Sequence, residues 1–355
     1  MNLVNLGWNE DFEKETELYQ ESGYSFGRVS LEHKRIYRVI LENGEILAEI
    51  SGKMRFVAES REDYPAVGDW VAVTPRFEEQ KGTIHGILPR KSKFSRKAAG
   101  DTTEEQIVAA NIDTLFIVAA LNNDFNIRRI ERYLIMAWES GANPVIVLNK
   151  ADLCSDKEEK RKEIESAALG VPVYFISALH GSDDLEEIKK YAENGQTIAL
   201  IGSSGVGKST LTNRLLGKER QATQEVRVGD DRGKHTTTYR ELLPLPEGGC
   251  LIDTPGMREL QLWSADVGFQ GTFEDIEELG LQCQFADCRH KSEPNCAILQ
   301  AIEEGELDAD RFESYKKLQR ELAYLSRKED KKAQADEKAK WKSISKTMRH
   351  QKKKL

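Results

Sequence analysis

The sequence predicts three successive units: a small all-β barrel, a central α/β unit built on a parallel sheet, and an α-helical C-terminal region. Three observations carry this. β-Formers cluster around turn signals between Arg35 and Leu88, apolar runs alternate with helical stretches between Ile112 and Asp253, and the chain beyond Leu260 turns helical and acidic around a tight Cys/His group. The expected boundaries are 1–103, 104–262 and 263–355. With 355 residues, 39% of them hydrophobic and 32% charged, the chain exceeds one ordinary core.

In the first 30 residues, acids and a few aromatics recur without clear periodicity, which predicts a short helical or extended arm. Strands are then expected at Arg35–Leu41, Ile46–Ser51, Asp69–Thr74 and Thr83–Leu88, with a hairpin turn at Asn43-Gly44 and a boundary at Val67-Gly68-Asp69. The size suits a five-stranded barrel of OB type, and an SH3-like barrel has the same spacing. A polar linker is expected around Arg96 to Gln106. Buried strands follow at Ile112–Ala120, Val145–Leu148, Val173–Ser177, Thr197–Ile201 and Cys250–Asp253. Helical patterns at Ile127–Glu139, Lys157–Leu169, Leu185–Glu193 and Ser209–Leu216 separate most of them, as in a parallel sheet covered on both faces. A long charged helix without much core is expected from Phe312 to Leu355.

Composition narrows the classes of function. The longest apolar stretches, such as Leu115–Leu121 and Pro144–Leu148, are far shorter than the roughly 20 residues that cross a bilayer, so no membrane partner is expected. Met1–Phe12 carries acids where a signal peptide needs a basic start, which predicts a cytoplasmic protein. The balance of 60 acids against 52 bases argues against nucleic-acid binding, and no DNA partner is expected, yet local basic runs occupy Arg90–Lys97 and Lys338–Lys354. A monomer is expected.

The segment from Gly202 to Ser209 matches G-x-x-x-x-G-K-S/T between an expected strand and an expected helix. Gly202, Gly205 and Gly207 let backbone N–H groups turn inward around phosphate oxygens, with Ser203, Ser204 and Val206 between them. Lys208 adds a point charge at the β and γ phosphates, Ser209 offers a hydroxyl to Mg²⁺, and Thr210 follows in the helix. Asn149-Lys150-Ala151-Asp152 selects the base: Asp152 accepts from N1–H and the exocyclic amine of guanine, which adenine cannot donate. Ser177-Ala178 would complete the pocket with a backbone N–H. Asp253-Thr254-Pro255-Gly256 would supply a carboxylate to Mg²⁺ through water, and the Gly256 N–H would sense the γ-phosphate. Between these motifs, Gly233-Lys234-His235-Thr236-Thr237-Thr238 is placed as a mobile switch, one of whose threonines reaches Mg²⁺ when the γ-phosphate is present.

Cys283-x₄-Cys288-x-His290-x₅-Cys296 offers three thiolates and an imidazole within 14 residues, a complete set for one structural zinc. Cys154 and Cys250 lie outside it. The basic run Arg90, Lys91, Lys93, Arg96 and Lys97 reads as a phosphate-binding edge with Phe94 free to stack on a base, or equally as a solvated linker. The tail from Lys338 to Lys354, with Trp341, reads as an RNA contact.

The order of the motifs is unusual: base reading comes first, then the phosphate loop, the switch and D-T-P-G. This order, with a barrel in front, a zinc-like cluster behind and the strings G-K-H-T-T-T and D-T-P-G-M-R-E-L, resembles the bacterial ribosome small-subunit-dependent GTPase A family over nearly the whole chain. The resemblance implies a circularly permuted GTPase domain binding GTP or GDP. It also implies an OB fold touching 16S ribosomal RNA, a zinc-bearing C-terminal domain, and action in late maturation of the small subunit. The acidic N-terminal arm departs from the long basic extension of the family. Many GTPases place a glutamine just after D-x-x-G, where this chain has Met257, so unassisted hydrolysis is expected at about 10⁻⁴ to 10⁻³ s⁻¹. His235 is the expected water-positioning residue, acting with Lys208 and the Gly256 N–H. Two rival readings are an RNA-binding module that keeps GTP as a structural ligand, and a GTPase of translation or tRNA.

Overall fold

The computed structural model describes residues 2–17, 19, 23–97, 105–122, 124–181, 183–217, 240–253 and 266–327. These fall into two compact units, the first running to Asp253 and including 266–272, the second from Phe273 onward. His235, Thr236, Thr237, Thr238, Gly256, Met257 and the 338–354 tail lie outside the described residues.

In the first unit the arm folds as a 3₁₀ turn, Leu3–Leu6, and a helix α1, Glu10–Glu15, each capped by an asparagine side chain, Asn2 and Asn9. Leu6 and Phe12 are buried, and Trp8 meets the Trp70 ring edge-on at 4.8 Å. The arm is therefore a packed layer, and its acids face outward.

The barrel comprises β1 (Ser25–His33), β2 (Ile36–Leu41), β3 (Gly44–Ile50), α2 (Gly52–Val57), β4 (Trp70–Arg76) and β5 (Lys81–Ile87). Pairing runs β1-β2-β3-β5-β4 and closes by β4 on β1, with β3 parallel to β5. This is the five-stranded order of an OB barrel. The hairpin turns at Glu42-Asn43, since Leu41 pairs with Gly44, one residue before the expected position. Strand β1 falls where only the arm was expected. Its run from Gly27 to Ser30 is buried on both faces, which erases the alternation that marks a half-buried strand. Its Gly27 admits no side chain: a Cβ there would lie 2.6 Å from Val39 Cγ1.

Strands β6 (Lys93–Lys97) and β7 (Glu105–Ala110) pair as a separate antiparallel hairpin, so the expected linker is structured on both sides of residues 98–104. Three members of the basic run are also engaged in ion pairs within the chain. Arg90 grips both carboxylate oxygens of buried Asp69 at 2.8 and 2.7 Å, Lys91 pairs with Asp11, and Lys93 with Glu62 and Glu105. Phe94 is 1% exposed, which corrects the expectation that it stacks on a base.

The α/β part holds β8 (Thr114–Ala120), α3 (Ile127–Ser140), β9 (Asn143–Asn149), α4 (Lys157–Ala167), β10 (Val173–Phe175), α5 (Asp183–Lys189), β11 (Thr197–Ile201), α6 (Lys208–Leu216), β12 (Glu241–Pro244) and β13 (Cys250–Asp253). Strand order is β10-β9-β8-β11-β13-β12, parallel except β12. Renumbered from the phosphate-loop strand β11, it reads 6-5-4-1-3-2, an unbroken doubly wound sheet whose chain is cut before its fourth strand. Helix α7, Asp266–Thr272, packs on α3 so closely that a Cβ on Gly268 would lie 2.0 Å from the Ile135 carbonyl oxygen.

Barrel and α/β sheet meet through the Leu31–Glu241 bridge between β1 and β12, and through Arg28. This fully buried guanidinium donates to the carbonyls of Leu6, Gly68 and Asn111, so arm, barrel and α/β sheet share one cation. Burial lowers its pKa, opposed chiefly by neighbouring Cys250 and Asp113.

The second unit has α8 (Glu274–Leu281), α9 (Ala297–Glu303) and a helix over 309–327. The start of that last helix carries more core than expected. Phe312, Tyr315 and Leu318 are buried, and Arg311 forks onto Asp275 at 2.9 and 2.7 Å over the Phe273 ring. Among the described residues no helix is long and apolar enough to cross a membrane.

Candidate functional site

Strands β9, β11 and β13 end on one edge of the sheet, so their C-terminal residues converge in the crevice where such sheets bind ligands. Gly202 to Gly207 leave β11 as a loop that enters α6 at Lys208. A Cβ on Gly202 would sit 2.2 Å from the Val118 carbonyl oxygen, and one on Gly207 2.1 Å from Asn149 Nδ2. Both positions, with positive φ, therefore require glycine. Lys208 Nζ donates to the carbonyls of Gly202 and Ser203 at 2.7 and 2.6 Å, holding its ammonium over the loop. Ser209 and Thr210 occupy the first turn of α6, beside the orphan N–H groups of its N-terminus. Such a loop fits a polyphosphate.

The residues expected to read the base assemble beside it. Asn149, 3% exposed, donates from Nδ2 to the Val206 carbonyl at 2.8 Å and accepts the Ala178 N–H at Oδ1 at 3.0 Å. One side chain thus clamps the phosphate loop to the Ser177-Ala178 loop. Lys150 adopts positive φ, and Ala151 and Asp152 follow in a 3₁₀ turn. Asp152 accepts the Ser177 hydroxyl at 2.6 Å, and this bond, above all, lowers its pKa. It stays ionised near neutrality, an acceptor suited to two N–H groups of a guanine. Asp253 is buried at the end of β13, one residue beyond the Ile252–Ala199 register pair.

Two supports escape motif reading. Arg214, two turns into α6, donates to the carbonyls of Ala178 and Leu179 and holds the base-side loop from behind. Arg129 of α3 bonds the Ser203 hydroxyl at 2.6 Å and Asp124 at 2.9 Å, while Tyr133 also hydrogen-bonds Ser203. The i, i+4 spacing of Arg129 and Tyr133 could have flagged one helix face, but not what it braces.

In the second unit, Cys283, Cys288, His290 and Cys296 present four ligand atoms within 4.8 Å of one another. Cys283 Sγ lies 3.9 Å from Cys296 Sγ and 3.6 Å from His290 Nδ1, and His290 Nδ1 lies 3.3 Å from Cys296 Sγ. Tetrahedral zinc bonds imply S···S of about 3.8 Å and S···N of about 3.5 Å, so the donors fit. Burial raises the Cys283 thiol, but N–H groups of Ala297 and Ile298 at the start of α9 outweigh it and lower the pKa. His290 adopts positive φ, and its ring meets Phe312 edge-on.

Comparison with known proteins agrees with this geometry. A family model described as RsgA GTPase matches residues 87–263, and one described as 50S ribosome-binding GTPase matches 197–335. The chain is 47% identical to small ribosomal subunit biogenesis GTPase RsgA 2 of Lactiplantibacillus plantarum, over 91% of this chain and 90% of that one. It is 44% identical to the Opitutus terrae protein named small ribosomal subunit biogenesis GTPase RsgA, over 97% and 96%. Among solved structures, YjeQ from Thermotoga maritima superposes with a TM-score of 0.62 at 30% identity, covering 84% of this chain and 99% of that one. YloQ, described as a circularly permuted GTPase, shares the fold at a TM-score of 0.60, with 23% identity, over 85% and 96%. With its motif order, its sheet and these relatives in agreement, the chain belongs to the RsgA family of circularly permuted GTPases.

Proposed function

We propose that this chain hydrolyses GTP as a maturation factor of the small ribosomal subunit, binding it in the GTP state and leaving after hydrolysis. The observation that carries the chemistry is the Asn149 clamp, which brings phosphate loop and base-reading loop into one crevice. Two relatives named for small-subunit biogenesis support the partner.

In this reading Asp152 accepts from guanine, Ser177 and Ala178 fix the walls, and Gly202 to Thr210 enclose the phosphates. Mg²⁺ would be held by Ser209, by Asp253 through water and by one of Thr236, Thr237 and Thr238, and it would neutralise charge on the β and γ phosphates. A water attacks the γ-phosphorus, the bond to the bridging oxygen breaks, and GDP and phosphate leave. Lys208 and the Gly256 N–H stabilise the transferring group, and His235 positions the water. Met257 cannot hold that water, so the partner completes the site. Zinc would be held by Cys283, Cys288, His290 and Cys296 as a structural ion with no open position. The OB barrel would contact 16S ribosomal RNA, and residues 1–103, 104–262 and 263–355 would act as RNA-binding, GTPase and zinc-binding units of a cytoplasmic monomer.

The test is steady-state GTP hydrolysis by the chain alone, with small subunits, with large subunits and with naked RNA. Stimulation by small subunits alone supports the proposal. Stimulation by large subunits alone would favour the partner named in the second family model. No stimulation, with nucleotide binding intact, would refute a ribosome-completed site.

A further inference from the structure

A small cavity of about 270 Å³ opens between the barrel and β7, away from the nucleotide crevice. Its polar lining includes Glu32, Arg35, Tyr37, Arg61, Tyr64 and Arg240. Three arginines thus face one carboxylate.

Arg240 is the unusual member. It is half-buried, and among the described residues it has no ion pair or hydrogen bond. Burial pulls its pKa down to about 10, Arg96 repels it, and Glu32 offers a partial counter-field. Its neighbours are already engaged: Arg38 pairs with Glu241, Arg96 bonds Gln106, and Arg35 lies 5.3 Å over the Tyr64 ring. A partly desolvated guanidinium beside like charge is costly unless an anion joins it. The planar fork of arginine matches the oxygens of a phosphate group. The volume is below the roughly 300–1,000 Å³ of sites that enclose drug-sized ligands, so one tetrahedral group fits and a whole nucleotide does not.

We propose that this cavity is a phosphate-class oxyanion site in which Arg240, with Arg35 and Arg61, binds either a phosphodiester of an RNA backbone or a free phosphate ion. Glu32 opposes binding. Arg240 directly precedes β12, whose Glu241 pairs with Leu31 of β1, so the bound oxyanion would sit at the barrel junction.

The experiment uses the full chain with saturating GDP. Equilibrium dialysis measures binding of inorganic phosphate, and fluorescence anisotropy measures a labelled 12-nucleotide RNA. Arg240→Gln is compared with the parent, so a phosphate loop common to both cancels whatever it binds. Loss of one or two charge-assisted hydrogen bonds predicts affinity about tenfold or more weaker. Glu32→Gln should tighten binding, the opposite sign. Because Arg240 forms no ion pair or hydrogen bond among the described residues, Arg240→Gln should melt no lower than the parent, and Arg35→Gln provides a second loss-of-charge variant. Weakening of phosphate alone assigns the site to the free ion, and weakening of RNA, with or without phosphate, assigns it to a phosphodiester. Unchanged binding of both probes in Arg240→Gln and Arg35→Gln overturns the proposal.

Discussion

Replacing Arg90 by alanine separates a structural from an RNA-binding role for the 90–97 run. Arg90 donates four hydrogen bonds, two to Asp69 and one each to the carbonyls of Glu62 and Tyr64. Its side chain is 15% exposed and that of Asp69 0%, so the substitution leaves a carboxylate buried without its cation. Breaking such a pair costs about 3–5 kcal/mol. In a cooperative unit of this size each kcal/mol lowers the melting midpoint by about 2–4 °C, which predicts a fall of about 6–20 °C. The variant also acquires a pH signature. Burial already pushes Asp69 up, and without Arg90 its folded pKa rises further above the unfolded value of about 3.9. The folded state then binds more protons, so stability falls as pH rises through that raised value, and the deficit is smaller at pH 5 than at pH 8. Urea unfolding of parent and variant at both pH values measures this. A loss under about 1 kcal/mol, or a deficit that grows on acidification, would refute the argument.

Three further outcomes follow from the site. Asp152→Asn replaces an acceptor by a donor, so GTP should bind about 10- to 100-fold more weakly in competition assays. Xanthosine triphosphate, with a carbonyl in place of the exocyclic amine, should gain. Arg129→Gln removes the guanidinium that braces Ser203 and Asp124, and is expected to raise KM for GTP several-fold with a smaller change in kcat. An equal fall in kcat with KM unchanged would instead place Arg129 at the transition state. Elemental analysis should find about one zinc per chain, lost in Cys288→Ala together with helical signal from the second unit. A metal-free parent that remains fully folded would remove that assignment.

The segments of the candidate site were legible in sequence because each is short and local. Gly202 to Ser209 must be glycine-rich between a strand and a helix, and the Cys/His spacing already brings four donors within one loop. β11 and β13 were visible as continuous apolar runs, since parallel strands are buried on both faces. The permuted motif order was likewise a property of the chain alone.

Contacts between distant segments were not legible, because no local pattern encodes them. β1 hid behind a buried arginine where alternation should be, and β7 behind the polar stretch that joins it to β6. The same long-range pairing ties Arg90, Lys91 and Lys93 of the basic run into ion pairs: Asp69 lies 21 residues from Arg90, and Asp11 lies 80 from Lys91. Sequence could name Asn149 as part of a base-reading motif. Only the tertiary structure showed that its two amide atoms reach Val206, 57 residues away, and Ala178, 29 away. Local propensity and spacing determined which chemistry the chain carries. Burial and partner choice, which arise only when segments meet, decided which charges are free to act.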